Sequence, residues 1–471
     1  MEIIITKNKM MQRIKLEITA LSPLAIAAKK PGSVSEAEDH IPGSVIRGAI
    51  ASQILQLSKP EIPDITERDL TADGGDFATL FLGNEPAIFQ NAYPAIGTVA
   101  IKLFLTEKEK YNLISQVVDN EIIVLPTTAV SSKTNSGFKP KGNGVFDTLI
   151  DRFCADAYNH PYDPSDPKSL EDKTDARVEP LSGFYSKAKE TKDDKIKYKY
   201  RSHSVSTRFL TRVGINRKGA TSEDDILYSI EVLNESFVET PQSQNWNPVV
   251  YRSSILVADT NLAKSFTHFI NDHANIFRLG SATSRGLGKV KISAKVDNAV
   301  TDAENRIKDF NRKLEERWKC WSIFGKPEND LLEKRFYFTL DLQSDAIFIE
   351  NWRHTTVISP KMLCEFVNLD NKFAQLKDEE EKDKFLKLEV AYSNYNYRSG
   401  WNVAWGLMKD IELVTNRGGV YLFSVDKGRE KLWIDKLKEL ELKGVGERTS
   451  EGFGQIQVCN EFHLILREEA V

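Results

Sequence analysis

Apolar and polar residues alternate from Ile14 to Ala20, the period of a strand with one face buried, and Ser22-Pro23 ends the run. Ile46, Ala49, Ile50 and Ile54 then recur at helical spacing behind Ser44, a favoured N-cap type, which predicts an amphipathic helix over 44–57. Residues 97–105 read as another strand. Between 126 and 200 the pattern breaks down into Pro, Gly, Asp and Lys, the mark of a long insertion. Periodicity returns in a hairpin, TRFLTRVGINR and ILYSIEVL around the turn KGATSEDD. Leu262, Phe266, Phe269 and Ile270 mark a helix over 261–275, and Lys289 to Ala294 closes the series as a strand. A helix over 301–321 carries Ile307, Phe310, Leu314, Trp318 and Trp321 on one face. RFYFTLDL opens a second series, with a helix over 427–442 and a last strand over 456–459. Strand, helix, hairpin, helix, strand is the order of the ferredoxin-like unit, whose sheet also serves RNA-recognition modules. Two such units in tandem predict an α+β fold. The expected domains are 1–297 with the insertion at 126–200, a helical connector over 298–334, and 335–471.

One loop occurs twice. GSATSRGLGKV, Gly280 to Val290, and GERTSEGFGQI, Gly446 to Ile456, both fit G-x-x-T-S-x-G-Φ-G-x-Φ with Φ apolar, and both lie between a helix and a strand. Repetition points to a duplicated unit. Gly280, Gly286, Gly288, Gly446, Gly452 and Gly454 permit positive φ and close backbone approach, and successive N–H groups in such turns form nests for anions. Thr283, Ser284, Thr449 and Ser450 add hydroxyls, and Arg285, Lys289 and Arg448 add charge. A phosphodiester suits this chemistry; a tight turn without a ligand is the alternative.

Charge sharpens that picture. The chain of 471 residues has a net charge of −4 and a pI near 6.1, which taken whole does not suggest a nucleic-acid binder. Yet the stretch from Lys187 to Lys218, which includes Arg212, Arg217 and Lys218, is strongly basic and carries Tyr198, Tyr200 and Phe209. Cations for phosphates with aromatics for bases is how single strands are held; a solvated lysine-rich loop is the alternative. Cys154, Cys320, Cys364 and Cys459 are far apart, with no C-x-x-C pair, so reduced buried thiols are expected and no metal site. Cys154 and His160 offer two metal ligands without a second pair. No apolar run reaches membrane length and no secretory layout opens the chain, so a cytoplasmic protein without membrane contact is expected. P-loop, Rossmann and G-x-S-x-G patterns are missing, and no cofactor is expected.

Several segments carry a family resemblance: LSPLAI with IPGSVIRGAIA, FQNAYPA at Phe89–Ala95, PTTAVSSK at Pro126–Lys133, GVFDTL, TRVGINR, SGWNVAWGLMK at Ser399–Lys409 and GVGERTSEGFGQIQV at Gly444–Val458. With them the chain resembles the RAMP superfamily of CRISPR-associated proteins, and within it the Csx-ten subunits of type III-D effector complexes. The resemblance implies a Cas-five-like role, holding the 5′ repeat-derived handle of the crRNA. The large polymerase-type subunit and Cas-seven-like backbone subunits would be its partners, and target RNA would be met indirectly. Both glycine loops would lie against the handle, with Ser44 and Arg47 at a helix N-terminus as a further phosphate seat. Some members carry paired cysteines near the segment equivalent to Pro180–Phe184, where this chain has only Cys154. Trp401, Asn402 and Trp405 suit either base stacking or core packing.

Two catalytic alternatives remain at this stage. RAMP relatives that process precursor crRNA use a histidine near the first helix, and His40 stands four residues before Ser44. It would act as general base on a ribose 2′-OH. The resemblance also implies metal-dependent target cleavage as in Cas-seven-like subunits, which use an aspartate in the loop after the first strand. Glu36, Glu38 and Asp39 lie in that loop here, and an exposed acidic loop is the simpler account. The expectation is a non-catalytic RNA-binding subunit.

Overall fold

The computed structural model describes residues 11–27, 36–57, 77–103, 110–118, 121–168, 177–192, 195–216, 221–239, 244–327, 332–402 and 406–471. The first strand, Gln12–Ala20, buries Ile14, Leu16 and Ile18 and exposes Lys15, as its alternation requires. It pairs antiparallel with Val250–Val257 on one side and Val290–Asn298 on the other. Short strands Ile88–Phe89 and Tyr93–Pro94 pair with the far edge of Val250–Val257. Helix Gly43–Leu57 presents Ile46, Ile50 and Ile54 to one core, and helix Thr260–Asp272 adds Phe266 and Ile270 to it. Across the sheet the strands run last, first, third, second, the order of a ferredoxin-like unit.

The hairpin expected to supply the second and third strands does not join this sheet. Thr207–Asn216 and Thr221–Leu233 form a separate two-stranded ribbon, tied to the segment after the first strand by a single bridge between Leu233 and Leu24. Val250–Val257 takes the central place. Its three half-buried middle residues, Arg252, Ser253 and Ser254, interrupt the apolar alternation that would have marked it.

The second unit repeats the plan. Arg335–Leu342 lies between Val420–Asp426 and Ile456–Val458, with Lys387–Tyr392 outermost. Helices Pro360–Phe366 and Glu430–Lys443 bury Met362, Leu363, Trp433 and Leu437 against it. The helix expected as a connector, Ala303–Trp321, packs Ile307, Phe310, Leu314 and Trp318 into this same core.

The insertion contains strands and a helix among its described residues, more regular structure than its sequence pattern suggests, with turns and coil over 133–144 and 158–168. Phe184–Lys192 and Lys195–His203 form a hairpin in a five-stranded sheet with Ile96–Leu103, Lys110–Val117 and Ile123–Val124. Helix Leu149–Ala157 buries Leu149, Ile150 and Cys154 in the core of the second unit, so a segment leaving the first unit helps build the other. Two buried charge clusters hold it there. His463 lies between Asp341, 2.8 Å from Nε2, and Asp147, 3.1 Å from Nδ1 in ion-pair rather than hydrogen-bond alignment. Asp151 accepts from Arg317 and, at 2.9 Å, from the Trp321 indole. Burial alone would lower the His463 pKa, but the two carboxylates outweigh it and hold it at about 10.

Candidate nucleic-acid interface

The two glycine loops share one backbone, position by position. Each contains a single 3-10 turn, Thr283–Arg285 and Thr449–Glu451, entered through a left-handed non-glycine residue, Ala282 at φ 53° and Arg448 at φ 57°. Gly286 and Gly452 leave the turn at φ 87° and 94°. The Ser281 amide donates to the Ala25 carbonyl at 2.9 Å, and the Glu447 amide to the Ile347 carbonyl at 2.9 Å. Gly288 donates to Pro23 at 2.9 Å and Gly454 to Asp345 at 2.8 Å. The segment after each unit's first strand thus threads its own glycine loop. At Gly288 a Cβ would stand 2.4 Å from the Leu279 carbonyl oxygen, and at Gly454 1.7 Å from that of Val445, so glycine is required there for close approach.

Their surroundings differ. The first loop is open: Gly280, Ser284, Arg285, Gly286 and Lys289 are exposed and Thr283 half-buried. The ribbon Thr207–Leu233 rests on it through Val232, which packs with Leu287 and Ala25. Both terminal nitrogens of Arg212 donate to the Arg285 carbonyl at 3.3 Å. Arg285 donates in turn to the Tyr228 hydroxyl, with its guanidinium carbon 5.7 Å from that ring's centre. A short helical turn leaves its first N–H groups without internal acceptors, so Thr283 and Ser284 present amide and hydroxyl donors together. Arg212, Tyr228 and Arg285 therefore stand with these donors on one surface. The outer face of the ribbon adds Phe209, 64% exposed, and Val213. Tyr228 was not singled out in the sequence; it lies in the second strand of the expected hairpin, whose register puts it opposite Arg212.

The second loop is enclosed. Gly452 is buried, and a Cβ there would meet Asn91 Oδ1 at 2.7 Å and the Phe89 carbonyl at 2.8 Å, both in the first unit. Arg448 pairs with Glu412 and Glu451 at 2.7 Å each, and Phe453 lies beneath Arg448 and Arg398 at 5.0 and 5.7 Å. Thr449 and Ser450 are half-buried, and Gly446 seats on the Ile347 carbonyl. The structure thus gives this loop a joining role: it abuts the N-terminal end of helix Gly43–Leu57.

That arrangement corrects the phosphate seat expected at Ser44 and Arg47. The helix begins at Gly43, whose amide donates to Asn91 Oδ1 at 2.8 Å, so Ser44 lies inside the first turn rather than capping it. Arg47 donates to the Phe81 carbonyl at 2.7 Å and lies over the Phe81 ring. Tyr200, expected among base-stacking aromatics, packs instead with Phe138, Tyr185 and Phe462. Arg217, Lys218 and Trp405 lie outside the described residues, as do the side chains of Trp401 and Asn402.

His40 is 2% exposed, and its ring packs near Tyr93 and Phe184. Its Nδ1 lies 2.9 Å from Asp39 Oδ1 and 3.2 Å from Arg417 Nη1, so one tautomer donates to the carboxylate and the other accepts from the guanidinium. Glu38 pairs with Arg398 at 2.8 Å, and Arg398 also reaches Asp345 at 2.9 Å. Burial would raise the Asp39 carboxyl, but the His40 hydrogen bond and the Arg417 charge bring it down to about 2. Glu38, Asp39 and His40 do converge with ligand-type atoms within 4.8 Å of one another. Those atoms face arginines of the second unit. The acidic loop thus joins the two units through Glu38 and Asp39, while Glu36 and Asp39 stay exposed as expected. Cys154, Cys364 and Cys459 are buried, and desolvation pushes each thiol upward. Among the described residues no helix is long and apolar enough to cross a membrane.

No curated protein sequence matches the chain. Among solved structures it is similar to a chain of the type III-B Cmr-beta complex bound to cognate target RNA and AMPPnP. That likeness has 11% identity and TM-score 0.32, over 87% of this chain and 86% of that one. A Cas6 chain shows 15% identity and TM-score 0.25 over 46% and 81%, and oligomeric Cmr4 from Pyrococcus furiosus 10% and 0.24 over 60% and 98%. Residues 17–291 match the RAMP superfamily, a span that runs from the first strand through the first glycine loop. Covering more than half of the sequence, that match settles the family: the chain belongs to the RAMP superfamily.

Proposed function

We propose that this chain is a non-catalytic, crRNA-binding subunit of a type III CRISPR effector complex. It holds the 5′ repeat-derived handle in a Cas-five-like position, beside the large polymerase-type subunit and Cas-seven-like backbone subunits, and meets target RNA only through the guide. The observation that carries this reading is the open first glycine loop, where Arg285, beside Thr283 and Ser284, meets Arg212 and Tyr228 of the ribbon, and Lys289 stands exposed at the loop's end. Donors, two guanidinium groups and an aromatic on one surface are the parts from which a ribonucleotide strand is gripped. The SGWNVAWGLMK and GVGERTSEGFGQIQV segments support the subtype.

Binding of the full chain to repeat-derived RNA across a salt series tests this. Arg285→Ala and Arg212→Ala should each weaken binding and each reduce the steepness of the salt dependence by about one unit. Wild-type protein without affinity for that RNA overturns the reading.

The enclosure of His40 supports a non-catalytic role over the endoribonuclease alternative, since a general base must reach the ribose hydroxyl. Incubation with precursor repeat RNA should leave it intact. Cleavage that disappears in His40→Ala would favour the nuclease.

A further inference from the structure

The hairpin Phe348–Glu350 and Arg353–Thr355 turns through two residues, Asn351 and Trp352, at φ 50° and 66°. Both are left-handed, the type I′ geometry that favours Asn-Gly. Asn351 fits that rule. Trp352 does not, for its Cβ makes this conformation unfavourable where glycine would be relaxed. Nor is it compensated by packing, for Trp352 is 99% exposed. A large aromatic held in a costly backbone and wholly in water points to a ligand rather than to folding.

The stem presents it firmly. Phe348 is fully buried in the core of the second unit. Glu350 accepts from the Ser359 hydroxyl at 2.5 Å, and the Ile347 carbonyl just before the stem accepts from Glu447 of the second glycine loop at 2.9 Å. Around the tip the charge is positive. Arg353 and His354 are exposed and form no ion pair among the described residues. Lys361 reaches Asn351 Oδ1 at 3.4 Å, with Glu365 3.9 Å from its ammonium. The one acidic group on the stem, Glu350, is turned to Ser359.

We propose that Trp352 is a stacking platform for an unpaired nucleobase of bound RNA, with Arg353 and Lys361 facing the adjoining phosphates. Cations beside a bare aromatic match a polyanion with π-faces better than an apolar protein pocket. The inference deepens the RNA-binding reading and rests on it. It also returns the second unit to the RNA, though its own glycine loop is turned inward.

Substitution at the tip separates binding from folding. Trp352→Gly relieves the left-handed strain, so its thermal midpoint should equal or exceed that of wild type. Its affinity for repeat-derived RNA should fall about tenfold or more, with the salt slope unchanged because no charge is lost. Trp352→Phe should recover much of the affinity. Wild-type affinity in Trp352→Gly, while Arg285→Ala still weakens binding, sinks this inference and leaves the proposed function standing. Unchanged RNA affinity with loss of a neighbouring subunit from the reconstituted complex makes Trp352 a protein anchor and likewise overturns it. Wild-type protein that binds no repeat RNA removes both.

Discussion

Gly286 and Gly452 occupy one place in two copies of a loop, share a φ near 90°, and differ in what stands beside them. A Cβ at Gly286 meets nothing within 4 Å, whereas one at Gly452 enters the polypeptide of the other unit. Gly286→Ala should therefore cost only the left-handed penalty, about 1–2 kcal/mol. Gly452→Ala should cost that and the displaced inter-unit contact besides, and thermal unfolding of the two variants should rank them so. Equal losses would mean the second loop is looser than its contacts indicate. The three glycines of each copy were legible from sequence as a special turn. Their separate duties were not, because the neighbours that decide them, Phe89 and Asn91, are remote in the chain.

At the scale of elements, the insertion departs furthest from its sequence. Its helix Leu149–Ala157 has apolar positions enough for one face, but its buried charges look like surface residues until the partners are known. Asp147 and Asp151 become interior groups only because His463, Arg317 and Trp321 come to meet them. The consequence is a pH dependence. His463 titrates at about 10 in the fold against an ordinary value of 6.5. The raised folded value means that its stabilisation is complete below about 6.5 and is lost as pH rises towards 10. His463→Ala should remove this slope in denaturant titrations across that range. It would also leave two buried carboxylates without their cation, a loss of about 3–5 kcal/mol. A variant as stable as wild type, with the slope retained, would show that another group titrates.

Across the whole molecule, Arg417 of the second unit touches each of the other parts. It pairs with Asp39 at 2.5 Å, lies 3.2 Å from His40, and places its guanidinium 5.0 Å from the Phe184 ring of the insertion. Nearby, the Thr127 amide of the insertion donates to Gly418 at 2.8 Å, and Tyr93 of the first unit donates to the Gln343 carbonyl. Arg417→Met should loosen the joint and lower the calorimetric midpoint, while the Glu38–Arg398 pair and the Gly452 contact still hold the units together. A single unshifted transition would mean the joint lies elsewhere. Glu38, Asp39 and His40 had invited nuclease and metal readings. Their role as a joint became visible only with Arg398 and Arg417 beside them.

Sequence alone determined the duplicated plan. Strand alternation at Ile14–Ala20, the amphipathic helices and the repeated glycine loop are local consequences of side-chain period and backbone freedom, and local physics does not depend on distant partners. Tertiary structure decided which strands pair, which glycine loop stays open, and whether an acid or histidine faces water or a guanidinium. Those outcomes turn on contacts between residues hundreds of positions apart, whose energies are set by burial and geometry that no single segment contains.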